Sequence, residues 1–580
     1  MREYWGSGYN GTGGSGGGGG GGAAWLLTGN AGTVPGLNFV GTTDAQDLVL
    51  SANSIERVRL IVGASIRFSD SAGNSELFID DYEAFTQSNV RIRAAGPIAD
   101  VALVLSSSGN GPTLANSPDG GLSGGNPRGI YATDFQKARN DKVQVAGGDY
   151  SGILAGENNE ISPAGMHSSI VGGLDHVLDG NRSVIAGGST NAIRNGSQRG
   201  SIGGGAANQI GTIGTVDSAT IAGGSGNVVE GDKAFIGGGN SNAIQSGAIL
   251  SAVVGGELHS VESTYSFVGG GFQNQILNVA DIFSAIVGGT TNTLTDASHS
   301  LIGGGLANSL GSAGDTSDYS VLVGGDTNAV VGSYSFLGGG TGNVLGGAGG
   351  VTNYASIVGG NTNFIGSGSD YSAVNGGFGN TISPGITHGS ICGGKSNSVT
   401  VDGYFGTVLG GYWGSAAHYA EAAHSSGVGI NGTPIAFVAG GAQHSWVVWR
   451  NYATAAVTTE LFLDGNEAII VGSPFRFTLQ AVRDTYQFEI QVAARDTVVA
   501  GQAAWWKIIG GVYRGAAGTT ALIGANTATK QNTGGNSAGW TVAVVANAAD
   551  DTLRINVTTG ASPNPVAFVA SGHMTRCCSA

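Results

Sequence analysis

The sequence predicts an all-β chain: a parallel β-solenoid followed by an antiparallel β-sandwich. Three observations predict it. One phrase recurs fifteen times with anchors from Ile170 to Val408, reading small, any, aliphatic anchor, any, Gly, Gly, any, any, Asn, any, aliphatic. The anchors lie 15 to 20 residues apart, all are Ile, Val or Leu, and each has Ser, Ala or Gly two residues before it. Beyond about residue 435 the phrase gives way to short runs of alternating polarity separated by Gly, Asn and Asp turns.

Each copy reads as one coil. A coil cannot bury its apolar side until another stacks on it, so the repeats build one continuous core. Side chains alternate faces along a strand, so Ser266 and Val268, or Ser335 and Leu337, share the inward side. The glycine pair supplies the backbone freedom for a sharp turn where a Cβ would clash. On the return strand Asn and the second aliphatic share a face. Asn holds its place in twelve copies: Asn191, Asn208, Asn227, Asn242, Asn274, Asn292, Asn308, Asn328, Asn343, Asn363, Asn380 and Asn397. Stacked at roughly 4.8 Å per coil, these amides are expected to form a structural hydrogen-bonded ladder. His176, His259 and Gly414 break the pattern. The residue before each anchor faces outward yet is often apolar, as at Val184, Phe235, Phe267, Leu301, Val321 and Phe336. A lone solenoid would expose that stripe, so further copies of the chain are expected to cover it. Cys392, directly after an anchor, is expected to be packed.

The other elements follow in order. Residues 1–35 are low in complexity, with Gly16 to Gly22 unbroken, and read as an N-terminal attachment segment. Residues 36–142 carry apolar-rich strand runs at 47–50 and 57–62. The solenoid occupies 143–415, with imperfect coils at Ile153 and Ile161 as its cap, and 416–434 reads as a linker. Residues 435–580 hold the runs 475–479, 486–492, 540–544 and 553–557, each with one apolar face, which predict the sandwich.

The repeat resembles the head repeats of trimeric autotransporter adhesins, which form a parallel β-roll, and similar phrases in phage tail fibres. Residues 38–44 with 56–60 resemble an opening segment of such fibres, and 128–136 leading to 144–148 resembles the entry into the array. The succession 503–514, 519–524, 539–540 and 552–559 resembles a C-terminal domain shared by many phage tail fibres. The resemblance implies a homotrimeric virion tail fibre with the solenoid as shaft and the sandwich as distal tip. Its implied partners are other virion tail proteins at the N-terminal segment and a host-surface glycan or protein at the tip. The rival readings are a cellular surface adhesin or filament protein, and a polysaccharide-depolymerising tailspike.

Composition narrows the class. Of 580 residues 108 are Gly, without a collagen period, and 11 Pro with 11% charged residues argue against a disordered chain. A formal charge of -15 argues against a nucleic-acid partner. Three cysteines lack metal or disulfide spacing, so no cofactor or metal is expected. The N-terminus shows no apolar leader and no stretch is long enough to span a bilayer, so neither export signal nor membrane insertion is expected.

The sequence argues no enzyme. A glycosidase needs two carboxylates in reach of one bond, whereas Asp175 and Asp326 are many coils apart, and Glu157 with Glu160, or Asp315 with Asp318, read as solvated acids. Residues 389–396 spell a phosphate-binding loop, but its glycines are the repeat's own and a strand follows where a helix is required. His444 and Ser445 lack a nucleophile turn.

Two sets of residues are candidates for receptor contact. In the tip these are Trp505, Trp506, Tyr513 and Trp540, against the plain alternative of core packing, with the polar stretch 524–537 as a recognition loop. In the shaft, the position three residues before the anchor carries rings in nine successive coils: Tyr265, Phe283, His299, Tyr319, Tyr334, Tyr354, Tyr371, His388 and Phe405. That column either stiffens the shaft and seals a seam, or presents Tyr319, Tyr334, Tyr354 and Tyr371 as a stacking surface for glycans.

Overall fold

The computed structural model describes strand segments between 46 and 95, residues 113–114 and 118–122, and 125–578 except 137, 195, 279–281, 348–349, 426–441, 454–457, 464–475, 480–483, 516–518, 536 and 561–563. The N-terminal attachment segment and much of the expected linker lie outside the described residues. The chain divides into two units, residues 1–106 and 107–580. In the first, strands Leu48–Ala52, Ile55–Ile61, Ser65–Ser69, Glu76–Glu83 and Ser88–Ala95 form an antiparallel meander in sequence order. Among the described residues no helix is long and apolar enough to cross a membrane.

The second unit is built on a two-sheet parallel solenoid. One sheet carries the anchors and runs from Thr113–Leu114 and Thr133–Asp134 through Ser169–Ile170 to Thr407–Gly411 and Ala422–Ser425. The other has sixteen strands, from Glu160–Ile161 to Ser415–Ala416. Register is strict: Ile170 pairs with Ile185, and Leu178 with Ile193, so like stacks on like. The two aliphatics of each coil face one another across a thin interior and are fully buried. Ile153 and Ile161 lie on the anchor and return strands of a single coil in the same register as the rest, which corrects the expectation of separate imperfect coils there. Cys392 is exposed, which corrects the expectation that it is packed.

Tight turns join the strands, and their cost is visible in the backbone. The residue three before the anchor and the residue before the ladder Asn both adopt left-handed conformations, as at Tyr334 (φ 57°) and Thr327 (φ 53°). An L-residue there costs about 1–2 kcal/mol, which the inter-coil hydrogen bonds must offset. The second glycine of the pair is a separate constraint. At Gly188 (φ 93°) a Cβ would collide with the Gly205 carbonyl of the next coil, so only glycine lets adjacent coils approach.

The asparagines form a ladder, with a different wiring from a simple amide chain. Each Oδ1 accepts the backbone N–H of the next ladder residue, as Asn308 Oδ1 does from Asn328 at 3.1 Å. Each Nδ2 donates to glycine carbonyls in its own coil and the next, at 2.9 Å to Gly304 and 3.0 Å to Gly325 for Asn308. His176 and His259 extend the ladder, with Nδ1 accepting from the Asn191 and Asn274 N–H groups at 3.1 and 3.0 Å. Glutamines close both ends. Gln136 accepts the Asn159 N–H and donates to the Asn159 carbonyl, and Gln443 does the same for Ser415. A second ladder runs through the small position before the anchor, where Ser300, Ser320 and Ser335 hydroxyls accept N–H groups of the following coil.

At its C-terminal end the anchor sheet turns antiparallel and continues into the sandwich. Ala422–Ser425 pairs with Ala442–Ala453, followed by Val566–Cys578, Asp484–Asp496, Ala503–Arg514, and finally Thr520–Ile523 with Ala528–Gly534. The opposing sheet holds Thr459–Leu461, Phe477–Thr478, Thr552–Thr558 and Thr541–Asn547. Trp449, Phe488, Trp506, Trp540 and Phe568 fill the core between them. Half of the expected recognition loop at 524–537 is therefore strand, Ala528–Gly534.

A buried polar joint ties shaft to tip. His418 Nδ1 meets Glu421 Oε2 at 2.8 Å, His418 Nε2 meets the Thr478 carbonyl at 2.7 Å, and Gln443 Nε2 donates to Glu421 Oε1 at 3.0 Å. Burial raises the Glu421 carboxyl, but the His418 charge and hydrogen bonds from His418, Ser445 and the Ala417 N–H outweigh it and hold the group below its ordinary range.

Candidate functional site

The shaft's ring column is continuous. From Tyr265 to Phe405 every neighbouring pair is in contact, with centroids 4.6 to 5.1 Å apart, and Tyr334, Tyr354 and Tyr371 lie within 3° of parallel. The four tyrosines proposed for glycan contact are 50 to 54% exposed. Their faces, however, are turned to one another along the axis, so the column offers solvent its hydroxyl-bearing edges. A sugar stacks on a ring face, and in this column the faces are already occupied.

The tip distributes its aromatics differently. Strand alternation sends Ala504, Trp506 and Ile508 into the core, so Trp505, Ile509 and Tyr513 point out. Trp506 is 3% exposed, packed on Phe568 with Lys530 Nζ 5.2 Å from its centroid, and Trp540 is 2% exposed. Those two are core residues, which corrects their place among the contact candidates. Trp505 is 50% and Tyr513 40% exposed. They belong to an open sheet face that also carries Trp446, Val448, Tyr452 and Val569. The sequence reading missed Trp446 and Tyr452. Their signal was the alternation with Val447, Trp449 and Asn451, which the structure buries.

The remaining motifs resolve plainly. The phosphate-loop spelling folds as coil, with strands Ser390–Ile391 and Ser398–Val399, and Lys395 Nζ sits 5.4 Å from the Phe378 ring centroid and 5.2 Å from that of Tyr412. Ser445 lies in the buried joint rather than at a catalytic turn. Asp318 accepts the Ser298 N–H at 2.8 Å, while Asp315 bonds Ser312. Burial raises the Glu160 carboxyl, and Asp179 and Asp141 raise it further against the opposing pull of Arg194; burial raises the Asp402 carboxyl as well. Among the described residues no group of His, Cys, Asp and Glu could hold a metal ion.

No family description and no curated protein matches the chain. Among solved structures it is similar to the tailspike protein gp49 of Acinetobacter baumannii bacteriophage Fri1, a capsular polysaccharide depolymerase. That match has 9% identity and a TM-score of 0.19, covering 70% of this chain and 79% of the other. It is also similar to the tailspike protein of Acinetobacter phage vB_ApiP_P1, at 10% identity and a TM-score of 0.15, covering 81% and 80%. Matches this distant carry no residue from one chain to the other. The expectation of no enzyme is corrected, one of these two structures being a capsular polysaccharide depolymerase, but at a TM-score of 0.19 the likeness assigns no activity to this chain.

Proposed function

We propose that this chain is a phage tail receptor-binding protein whose solenoid is a shaft and whose C-terminal sandwich engages host-surface polysaccharide through its open sheet face. The contrast between the two aromatic arrays carries this reading. The shaft's rings are stacked on one another, whereas Trp446, Tyr452, Trp505 and Tyr513 stand exposed on one sheet, a face of the kind that marks interaction sites. In the same reading the protein is a homotrimer in the virion, with residues 1–35 docking to other tail proteins and further copies covering the exposed Phe235, Phe267 and Phe336. Adsorption of the full chain to host cells, competed with purified capsule or lipopolysaccharide, tests the target. Competition is expected, and adsorption unchanged at saturating polysaccharide refutes it. A light-scattering mass of 57.5 kDa would remove the trimer.

Cleavage of that polysaccharide is a second reading, favoured by Glu160. Its carboxyl is raised first by burial and then by the Asp179 charge, the direction a general acid requires. New reducing ends that disappear in Glu160→Gln would establish it. Their persistence in that variant would clear Glu160 of the role.

A further inference from the structure

We propose that the open sheet face of the C-terminal domain contains a binding site for a neutral, hydroxyl-rich sugar unit, centred on Trp505. This rests on the polysaccharide reading above and adds the place and the ligand class. A cavity of about 490 Å3 opens over the strands Val566–Cys578, Asp484–Asp496, Ala503–Arg514 and Ala528–Gly534. Strand register arranges its lining in two rows. Trp505 lies opposite Ala493, which lies opposite Val569, so a small side chain leaves space beside a half-exposed indole. In the next row Lys507 lies opposite Gln491, which lies opposite Ser571, placing ammonium, amide and hydroxyl side by side. An apolar ring next to a polar row matches a pyranose, which has one C–H face and a rim of hydroxyls.

Two further observations point to the same spot. Pairing between Ala503–Arg514 and Ala528–Gly534 shifts register between Trp505 and Trp506, opposite Asn532 and Lys530, so Gln531 is the extra residue of a β-bulge. Bulges re-aim side chains and concentrate at functional sites, and Gln531 lines this cavity. The second observation concerns charge. Among the described residues Lys507 is the one charged residue lining the cavity, and its Nζ is held by Glu489 at 2.8 Å. That pair offers a donor and an acceptor with no net charge, which suits adjacent hydroxyls. An anionic sugar would compete with the Glu489 carboxylate for the same ammonium.

Saturation-transfer NMR on the full chain tests this, using methyl glycosides of glucose, galactose, mannose, N-acetylglucosamine and glucuronic acid as probes. Transfer to at least one neutral glycoside is expected, lost in Trp505→Ala and in Gln531→Ala and retained in Val498→Ala, an exposed turn variant. No transfer to any neutral probe overturns the site, transfer unchanged in Trp505→Ala overturns its location, and transfer to the uronate alone overturns the ligand class. A fall in light-scattering mass of Trp505→Ala would make this face an interface between copies, which also overturns it. Polysaccharide competition is read on wild-type protein, with no Trp505 variant involved, so the broader reading fails or stands separately.

Discussion

Replacing Asn308 with Leu isolates what the ladder contributes. The side chain is buried, and leucine matches its size while removing every polar atom. Its Oδ1 receives the Asn328 N–H, and its Nδ2 serves the Gly304 and Gly325 carbonyls and the Asn292 amide. The Gly325 carbonyl keeps a second donor, the Leu306 N–H at 2.9 Å. Two groups therefore lose their partner, the Asn328 N–H and the Gly304 carbonyl. The Asn328 N–H is buried and costs about 1–3 kcal/mol when left unsatisfied, whereas Gly304 is half-buried and water can replace its lost donor, so the expected cost is about 1–3 kcal/mol. Coils contact only their neighbours, so the loss is local and should divide shaft unfolding into two steps on either side of coil 302. Urea unfolding followed by circular dichroism, with hydrogen exchange at Asn328, reads both effects. Asn240→Leu, on the exposed side of a coil, serves as the control and should stay within about 0.5 kcal/mol. An Asn308→Leu protein as stable as that control would refute the ladder's energetic role.

Three other perturbations have defined outcomes. Burial holds the His176 and His259 imidazoles below their ordinary range, so the unfolded chain binds protons that the folded coils refuse. Their contribution to stability is full above about pH 6.5 and declines as pH falls below it. The double variant His176→Asn with His259→Asn should flatten that decline, and an unaltered acid limb in urea midpoints would count against it. Gly188→Ala should destabilise the shaft because its Cβ meets the Gly205 carbonyl, whereas the neighbouring Gly187→Ala meets open space and should lower the melting temperature far less. Changing Tyr354 to Leu removes two stacked pairs and should cost about 1–3 kcal/mol. Extending the change to Tyr319, Tyr334 and Tyr371 should lower melting further while folded protein still adsorbs to cells; lost adsorption at an unchanged melting temperature would return the column to a recognition role.

The repeat made the shaft legible because every coil must satisfy the same constraints. An anchor facing an aliphatic, a glycine under the next coil's carbonyl and an Asn at the corner recur at fixed offsets, so periodicity alone located them. The serine ladder was hidden because Ser at that position satisfies a requirement for small size as well as a hydrogen bond. Face-to-face ring stacking was legible from coil spacing, but the left-handed turn at each of those residues was not. In the tip, Trp505 and Trp506 are adjacent and chemically alike in sequence, and only strand parity separates a surface residue from a core residue. The bulge at Gln531 left no mark in composition. It exists because two strands of unequal count are paired.

Gln136 and Gln443 give the shaft a definite length. A stack of near-identical coils ends in peptide groups that are poised to template another coil, and nothing in the repeat itself says where to stop. On the Asn-bearing sheet each glutamine lays its amide against a terminal coil as one extra peptide unit and occupies the Asn159 or Ser415 groups through which that sheet would grow, while the anchor sheet runs on into Thr133–Asp134 at one end and Ala422–Ser425 at the other. Termination is thereby separated from repetition. Coils can be gained or lost between the two glutamines in whole units of about 17 residues, each changing reach by roughly 4.8 Å, while the joint to the tip and both ends stay as they are. The shaft is in this sense a ruler whose end stops are written outside its graduations.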